Sequence, residues 1–197
     1  MNFLGHLFLS GDNNELMLTN LYGDYIKGSK WHKYPAPIVV GAKFHREIDF
    51  FIDNHEAVKE LRLNLYRSLP KVAGIAIDLY FDFFLVRNWE RFSDTNLDDF
   101  LNRFFKSTQQ QIVRLKNDFD FNFDKHFLIL ISRIHQEKWI QQYGSFEGLN
   151  FAASGLSRRI SFENNLHEAV PVLKQNFDAI EKVFFIFMND AIKQFLK

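Results

Sequence analysis

The chain of 197 residues contains no cysteine, which excludes disulfide bonds, a thiol nucleophile and a thiolate-bound metal. Glycine and proline are scarce, at 9 and 4 residues, which argues against a turn-rich β fold. Neither charge sign is in excess, since 24 Lys and Arg balance 24 Asp and Glu. We therefore do not expect a nucleic-acid-binding protein.

Long uncharged runs are also absent. The longest stretch without Asp, Glu, Lys or Arg is residues 1–11, which is too short to cross a bilayer. No Lys or Arg precedes it, so it lacks the basic start of a signal peptide. These observations predict a cytoplasmic protein with no membrane segment.

Phenylalanine, in contrast, is abundant at 24 residues, which indicates a core built from aromatic packing. The length suits one domain, residues 1–197. Helical periodicity runs through nearly every segment between the glycines and prolines, and it predicts a single all-α domain of seven or eight helices. The predicted helices cover residues 2–9, 12–25, 37–67 with a break at Asp53-Asn54, 72–86, 96–118, 123–142, 145–160 and 166–195.

One ionisable pair lies on an apolar helix face. At helical spacing, this face is formed by Ile38, Gly41, Ala42, His45, Ile48, Asp49 and Ile52. His45 and Asp49 are four residues apart, so their side chains project together into the interior. A buried carboxylate is costly unless a cation meets it. The pair is either a core histidine hydrogen-bonded to a core aspartate, or part of a functional site.

Asp78 and Asp82 form a second pair, and they are the only charged residues between Val72 and Val86. They are also four residues apart, on a face shared with Ile75, Leu79 and Leu85. Two like charges on adjacent turns repel each other, unless a cation lies between them or one is protonated. A buried Arg or Lys is one interpretation, and a divalent metal ion is the other.

His6 and Asp24 are weaker candidates of the same kind. His6 lies within an apolar helix, and Asp24 shares a helix face with Met17, Asn20 and Leu21. Each alone is more typical of a satisfied core residue. Together with the two pairs, they would offer imidazole and carboxylate ligands from four helices, a donor set that suits Mn²⁺, Mg²⁺, Fe or Zn²⁺. Such a metal site can activate water and bind a phosphoryl oxygen.

Basic residues are concentrated in two places. Between residues 25 and 46 there is no acidic residue, and the basic ones are Lys27, Lys30, Lys33, Lys43 and Arg46. Arg158 and Arg159 lie in another acid-free stretch, residues 148–162. Each stretch is either a solvated surface or a site for a phosphate group or an acidic protein.

Several motifs resemble a known family. They are MNFLGHL at residues 1–7, NLYGD at 20–24, HREID at 45–49, IDLYFDFFL at 77–85 and SRR at 157–159. In combination they are similar to bacterial acyl carrier protein phosphodiesterase, and the resemblance spans nearly the whole chain.

The resemblance implies an all-helical, divergent relative of the HD-type metal phosphohydrolases. It implies hydrolysis of the phosphodiester that joins 4′-phosphopantetheine to a serine of holo-acyl carrier protein. A divalent metal would be required, with Mn²⁺ favoured. The carrier protein is strongly acidic, so the resemblance also implies a basic landing surface.

Site residues follow from the same resemblance. The implied metal ligands are Asp24, His45, Asp49 and Asp78. His6 and Asp82 would be further ligands or proton-transfer groups. The phosphoryl oxygens would be stabilised by Arg46, Arg158 or Arg159, and the landing surface would be formed by Lys27, Lys30, Lys33 and Lys43. Many family members have a histidine directly after the aspartate that matches Asp82, where this chain has Phe83.

Two other functions remain compatible with the sequence. The first is an HD-type phosphohydrolase that acts on a nucleotide or another small phosphate ester, which would share the metal site. The second is a non-enzymatic helical module that binds acyl carrier protein or another acidic partner, with the aspartates as core ion pairs.

Overall fold

The computed structural model describes residues 1–28 and 31–196, apart from the side chain of His32. This part of the chain contains helices and no strand, which confirms the all-α prediction. Its α-helices are α1 (Phe3–Leu9), α2 (Asn14–Leu21), α3 (Ala36–Asn54), α4 (Glu56–Leu65), α5 (Ala73–Arg87), α6 (Leu97–Phe119), α7 (Lys125–Gln136), α8 (Trp139–Gln142), α9 (Phe146–Ser157), α10 (Ala169–Gln175) and α11 (Phe177–Phe195).

These eleven helices exceed the predicted seven or eight because long periodic segments break at single residues. Lys138 adopts a left-handed conformation with φ of 50° and separates α7 from α8. Asn176, with φ of −120° and ψ of 21°, separates α10 from α11. The predicted helix 12–25 is α-helical only to Leu21 and then continues as a 3₁₀ turn, Tyr22–Tyr25.

A side chain caps the start of α2. Oδ1 of Asn13 accepts a hydrogen bond from the Leu16 N–H at 3.0 Å. An oxygen at this position satisfies one of the free N–H groups in the first turn of a helix.

The core is centred on α5, which is apolar on every side except at its two aspartates. Tyr80, Phe81, Phe83 and Phe84 of this helix are fully buried. Phe81 and Phe84 pack against Phe184 of α11, with ring centres 5.6 Å apart in both pairs. A helix that is apolar all round lies in the interior, so the fold wraps α5 with the other helices.

Two glycines allow the close approach that positions the histidines. A Cβ atom at Gly41 of α3 would overlap with Thr19 of α2, and one at Gly23 would overlap with the His45 side chain. Without side chains at these positions, α2 and the 3₁₀ turn pack directly against α3. In the described part of the chain, we find no helix whose length and hydropathy would let it cross a membrane.

Candidate metal centre

Two histidines from different helices stack at the junction of α1, α2 and α3. The rings of His6 and His45 are 4.1 Å apart and inclined by only 13°. The Nδ1 atoms of both rings face the same oxygen, Oδ1 of Asn20, at 3.0 Å for His6 and 3.2 Å for His45. Both histidines and Asn20 are buried. One asparagine of α2 therefore orients both imidazoles.

The hydrogen bonds of Asn20 determine which ring nitrogens carry protons. Its Nδ2 donates to the His6 carbonyl oxygen and to Ser10 Oγ, both at 2.9 Å. Reversing the amide would bring its oxygen against the His6 carbonyl, so Oδ1 must face the rings. The Nδ1 atoms then donate to Oδ1, and in the neutral rings each Nε2 holds a lone pair.

Both lone pairs point at carboxylates. Nε2 of His6 lies 3.3 Å from Asp49 Oδ1, and Nε2 of His45 lies 3.2 Å from Asp49 Oδ2. Nε2 of His45 is also 3.1 Å from Asp24 Oδ1. His6, His45 and Asp49 each offer one ligand atom, and these three atoms lie within 4.8 Å of one another. We call these three residues the histidine–aspartate cluster.

The pKa values show how the cluster is charged without a metal. Burial opposes a charge on His45, but its hydrogen bonds with Asp24 and Asp49 outweigh this and raise the pKa to about 9. Burial lowers the pKa of His6, and Asp49 only partly offsets that effect. The same histidine bonds hold the pKa of Asp49 well below its usual range in spite of burial. Without a metal, the protonated ring of His45 thus lies between two carboxylates, Asp49 of the cluster and the neighbouring Asp24.

This arrangement leaves one unfavourable contact that a cation would relieve. The lowered pKa of His6 favours its neutral form, in which the Nε2 lone pair faces the Asp49 oxygen with no proton between them. A divalent ion bound by both Nε2 atoms and Asp49 would replace the missing proton and displace the one on His45. Imidazoles held by a hydrogen bond to the other ring nitrogen are the usual form of metal-binding histidine. The donor set therefore fits a divalent metal of the imidazole–carboxylate class.

A cavity of about 340 Å³ opens beside the cluster. Asp24 and Asp78 line it together with the cluster, so four of the predicted ligand positions share one cavity with His6. Asp78 reaches it from α5 and accepts a hydrogen bond from the Met1 ammonium group at 2.9 Å. Asp24 and Asp78 lie at the wall, outside the set of three ligand atoms.

Two predicted catalytic residues have other surroundings. Asp82 is fully buried and accepts hydrogen bonds from the Leu4 and Gly5 N–H groups at 2.8 and 3.0 Å. Burial raises its pKa to about 7, although these bonds lower it. Asp82 thus binds the first turn of α1 and does not line the cavity. His6 directs Nδ1 at Asn20 and Nε2 at Asp49 and the cavity, which makes it a ligand candidate.

The predicted phosphate-binding arginines separate in space. Arg46 donates to the carbonyl oxygens of Ile26 and Gly28 at 3.1 Å, and its guanidinium lies 4.2 Å from the Trp31 ring centre. It therefore secures the loop after Asp24 and does not face the cluster. Arg158 is exposed near the end of α9. Arg159, in contrast, lines a second cavity together with Asp24.

The predicted landing lysines are dispersed as well. Lys27, Lys33 and Lys43 are exposed, and Lys30 lies outside the described residues. Lys43 lines a groove with Trp31 and Phe50, on the side of α3 that faces away from His45 and Asp49.

Phe83 does not line the cavity that holds the cluster. Its ring stacks on Phe146 with centres 5.3 Å apart, and the Arg87 guanidinium lies 5.3 Å from its centre. The side chain is fully buried in this aromatic environment. A residue at position 83 therefore contributes to packing between α5 and α9.

Asn20 is the functional residue that the sequence analysis did not select as a site residue. The available signal was an amide at a buried helix position, on the same face as the candidate Asp24. A buried polar side chain requires hydrogen-bond partners, and these partners turned out to be both histidines.

Comparison with known proteins agrees with the motifs. Residues 1–191 match the family described as "Acyl carrier protein phosphodiesterase". A protein of this name from Klebsiella pneumoniae (strain 342) is 30% identical over 194 residues, covering 98% of this chain and 96% of its own length. The similarly named protein of Yersinia pestis is 28% identical over 196 residues, covering 98% and 97%. No solved structure matches. The chain belongs to the acyl carrier protein phosphodiesterase family.

Proposed function

We propose that this chain is a metal-dependent phosphodiesterase that removes 4′-phosphopantetheine from holo-acyl carrier protein. The observation that carries the proposal is the histidine–aspartate cluster, in which Asn20 aims two imidazole Nε2 atoms at Asp49. The family to which the chain belongs identifies the substrate class. The HD-type relationship remains part of this proposal.

His6, His45 and Asp49 would hold the metal, and Asp24 and Asp78 are additional ligands at the cavity wall. When bound, the metal would supply Lewis-acid activation of the phosphodiester and of water. Manganese is the proposed ion, because the donors are nitrogen and oxygen only and the family resemblance favours it. Mg²⁺, Fe and Zn²⁺ accept similar ligands.

Hydrolysis breaks the bond between phosphorus and the serine oxygen. Water adds its oxygen to phosphorus, 4′-phosphopantetheine leaves as a phosphate monoester, and the serine oxygen takes up a proton. Arg159 lines a second cavity that shares Asp24 with the first, and it is the arginine that we assign to the phosphoryl oxygens. Because His6 is proposed as a metal ligand, we assign the proton on the serine oxygen to solvent.

The position of the scissile bond restricts how the carrier protein docks. The phosphodiester is attached directly to serine, so the surface of the carrier must reach the mouth of the cavity. Lys27 follows Asp24 by three residues and is exposed, and Lys33 is exposed in the same basic stretch. We propose these two lysines as contacts for the acidic carrier. Lys43, on the outer side of α3, would act through longer-range attraction.

Intact-mass spectrometry of holo-acyl carrier protein tests the reaction. After incubation with this protein and Mn²⁺, we expect loss of the whole phosphopantetheine group, and no loss when EDTA is present. Restoring excess Mn²⁺ after EDTA should restore the reaction. An unchanged mass with tightly bound metal would favour a small phosphate ester as substrate. An unchanged mass without metal binding would favour a helical binding module.

A further inference from the structure

A second cavity, of about 250 Å³, adjoins the one that holds the histidine–aspartate cluster. Asn2, Asp24 and Leu156 line both cavities, so the two are adjacent and share these wall residues. The rest of its wall is mostly apolar and aromatic, and it includes Tyr25, Leu130, Trp139, Tyr143 and Phe151. We call this space the aromatic cavity.

Small residues on one side of α9 line this cavity. Gly148, Ala152 and Gly155 follow at spacings of four and three residues, which places them on one helix face. A Cβ atom at Gly148 would overlap with Gln142, so of the two glycines only Gly155 borders open space. A Cβ atom at Gly155 would meet no atom within 4 Å. A larger side chain here would therefore extend into open space and not into a neighbouring helix.

The wall also carries polar groups. Asn2 and Gln142 stand among the aromatic residues, so the wall offers amide groups beside its apolar surface. Arg159 lines the same cavity and gives it one cationic side chain of the kind that binds phosphate oxygens.

We propose that the aromatic cavity binds the pantetheine arm of the carrier protein during the reaction. This inference rests on the proposed function. The phosphate joins serine on one side and the arm on the other, so a phosphate at the cluster with serine at the mouth directs the arm into an adjoining space. The arm is uncharged and alternates methyl and methylene groups with two amides, which matches a mostly aromatic wall that also includes the amide side chains of Asn2 and Gln142.

Filling the cavity from Gly155 tests this assignment. We expect Gly155→Leu and Gly155→Phe to lower kcat/KM for holo-acyl carrier protein by about tenfold or more, because a misplaced reacting group loses rate steeply. Mn²⁺ binding, measured by calorimetry, should stay unchanged, since the cluster is not altered. Asn150→Phe is the matched control, because it adds the same side chain to an exposed position of α9 that does not line the cavity.

Direct binding provides a second readout. Trp139 lines the cavity, so titration with D-pantetheine should change the tryptophan fluorescence of the unmodified protein. Trp139→Phe should remove most of that change, and Gly155→Phe should weaken binding. This titration decides the question if the Gly155 variants fail to fold by circular dichroism.

The outcomes separate the two proposals. If the unmodified protein does not cleave holo-acyl carrier protein, the proposed function is wrong. If it cleaves the carrier, and folded Gly155→Phe cleaves it equally fast, the aromatic cavity does not hold the arm. The absence of any fluorescence response to pantetheine in an active enzyme would likewise overturn the assignment.

Discussion

Two pairs of ionisable residues with the same spacing have different environments in this fold. His45 and Asp49 on α3 face a cavity, where a second histidine and Asp24 meet them. Asp78 and Asp82 on α5 separate, so that Asp78 reaches the edge of the cavity while Asp82 is buried under the first turn of α1. The difference comes from α1, which directs two backbone N–H groups at Asp82 and a histidine ring at Asp49.

The first turn of a helix has N–H groups without partners, and a carboxylate can accept from them as it would from a cation. Asp82 uses this option with Leu4 and Gly5, so its burial needs no metal. Asp49 instead faces two imidazole nitrogens, one of which has no proton to offer. A buried acidic residue thus indicates a metal only when its partners are themselves metal-binding groups.

Removing a cluster residue should give the largest effect. His45→Ala or Asp49→Asn takes away a ligand, so Mn²⁺ binding by calorimetry and loss of phosphopantetheine by mass spectrometry should fall by more than ~100-fold, the upper range for loss of an outer partner. His55 and Asp190 form another histidine–aspartate pair at 3.4 Å, outside the cavity. His55→Ala is therefore the control, and full activity in His45→Ala would disprove the cluster assignment.

Asp82 should affect stability and not metal binding. Asp82→Ala leaves two buried N–H groups without an acceptor, which we expect to lower the free energy of unfolding by about 2–3 kcal/mol in urea titrations. Asp82→Asn keeps one carbonyl oxygen and should lose less. If the folded Asp82→Ala protein no longer bound Mn²⁺, Asp82 would belong with the ligands and the contrast between the two pairs would fail.

Asn20 tests whether hydrogen bonds to the two histidine rings are needed for metal binding. Asn20→Ala removes the acceptor that orients both Nδ1–H groups, so Mn²⁺ affinity should fall by about 10- to 100-fold while both ligands remain. Asn176→Ala is a suitable control, because it also removes an amide-to-carbonyl bond, at 2.9 Å to Val172, but far along the chain in another helix junction. Equal affinity in Asn20→Ala and the unmodified protein would show that packing alone orients the rings.

Sequence patterns predicted much of this architecture because helical periodicity and scarce glycine and proline are strong local signals. The apolar face of α3 placed His45 inward, as the structure has it, whereas Asp49 on the same face is half-exposed because the cavity opens there. The same reasoning missed the breaks at Lys138 and Asn176, where no proline or glycine marks the end of a helix. Such breaks depend on how the following segment packs, which local patterns do not contain.

The site was less accessible to sequence reasoning, since its chemistry depends on contacts between helices. Periodicity treated Asp49 and Asp82 alike, because both lie on buried faces. Only the fold shows that α1 directs its N–H groups at Asp82 and the ring of His6 at Asp49. The surroundings of Arg46 were equally hidden from sequence reasoning, because its guanidinium binds loop carbonyl groups that are 18 and 20 residues away in sequence.

The smallest effects are expected for Arg159 and Arg46. Arg159 lines the aromatic cavity, which shares Asp24 with the cavity at the cluster, whereas Arg46 secures the loop beyond Asp24. Arg159→Gln should lower kcat/KM for holo-acyl carrier protein by about tenfold, roughly the worth of one charge-assisted hydrogen bond to a phosphoryl oxygen. Arg46→Gln should change it by less than about twofold, because its lost bonds are to exposed loop carbonyl groups. A larger loss in Arg46→Gln would mean that the loop after Asp24 positions the substrate.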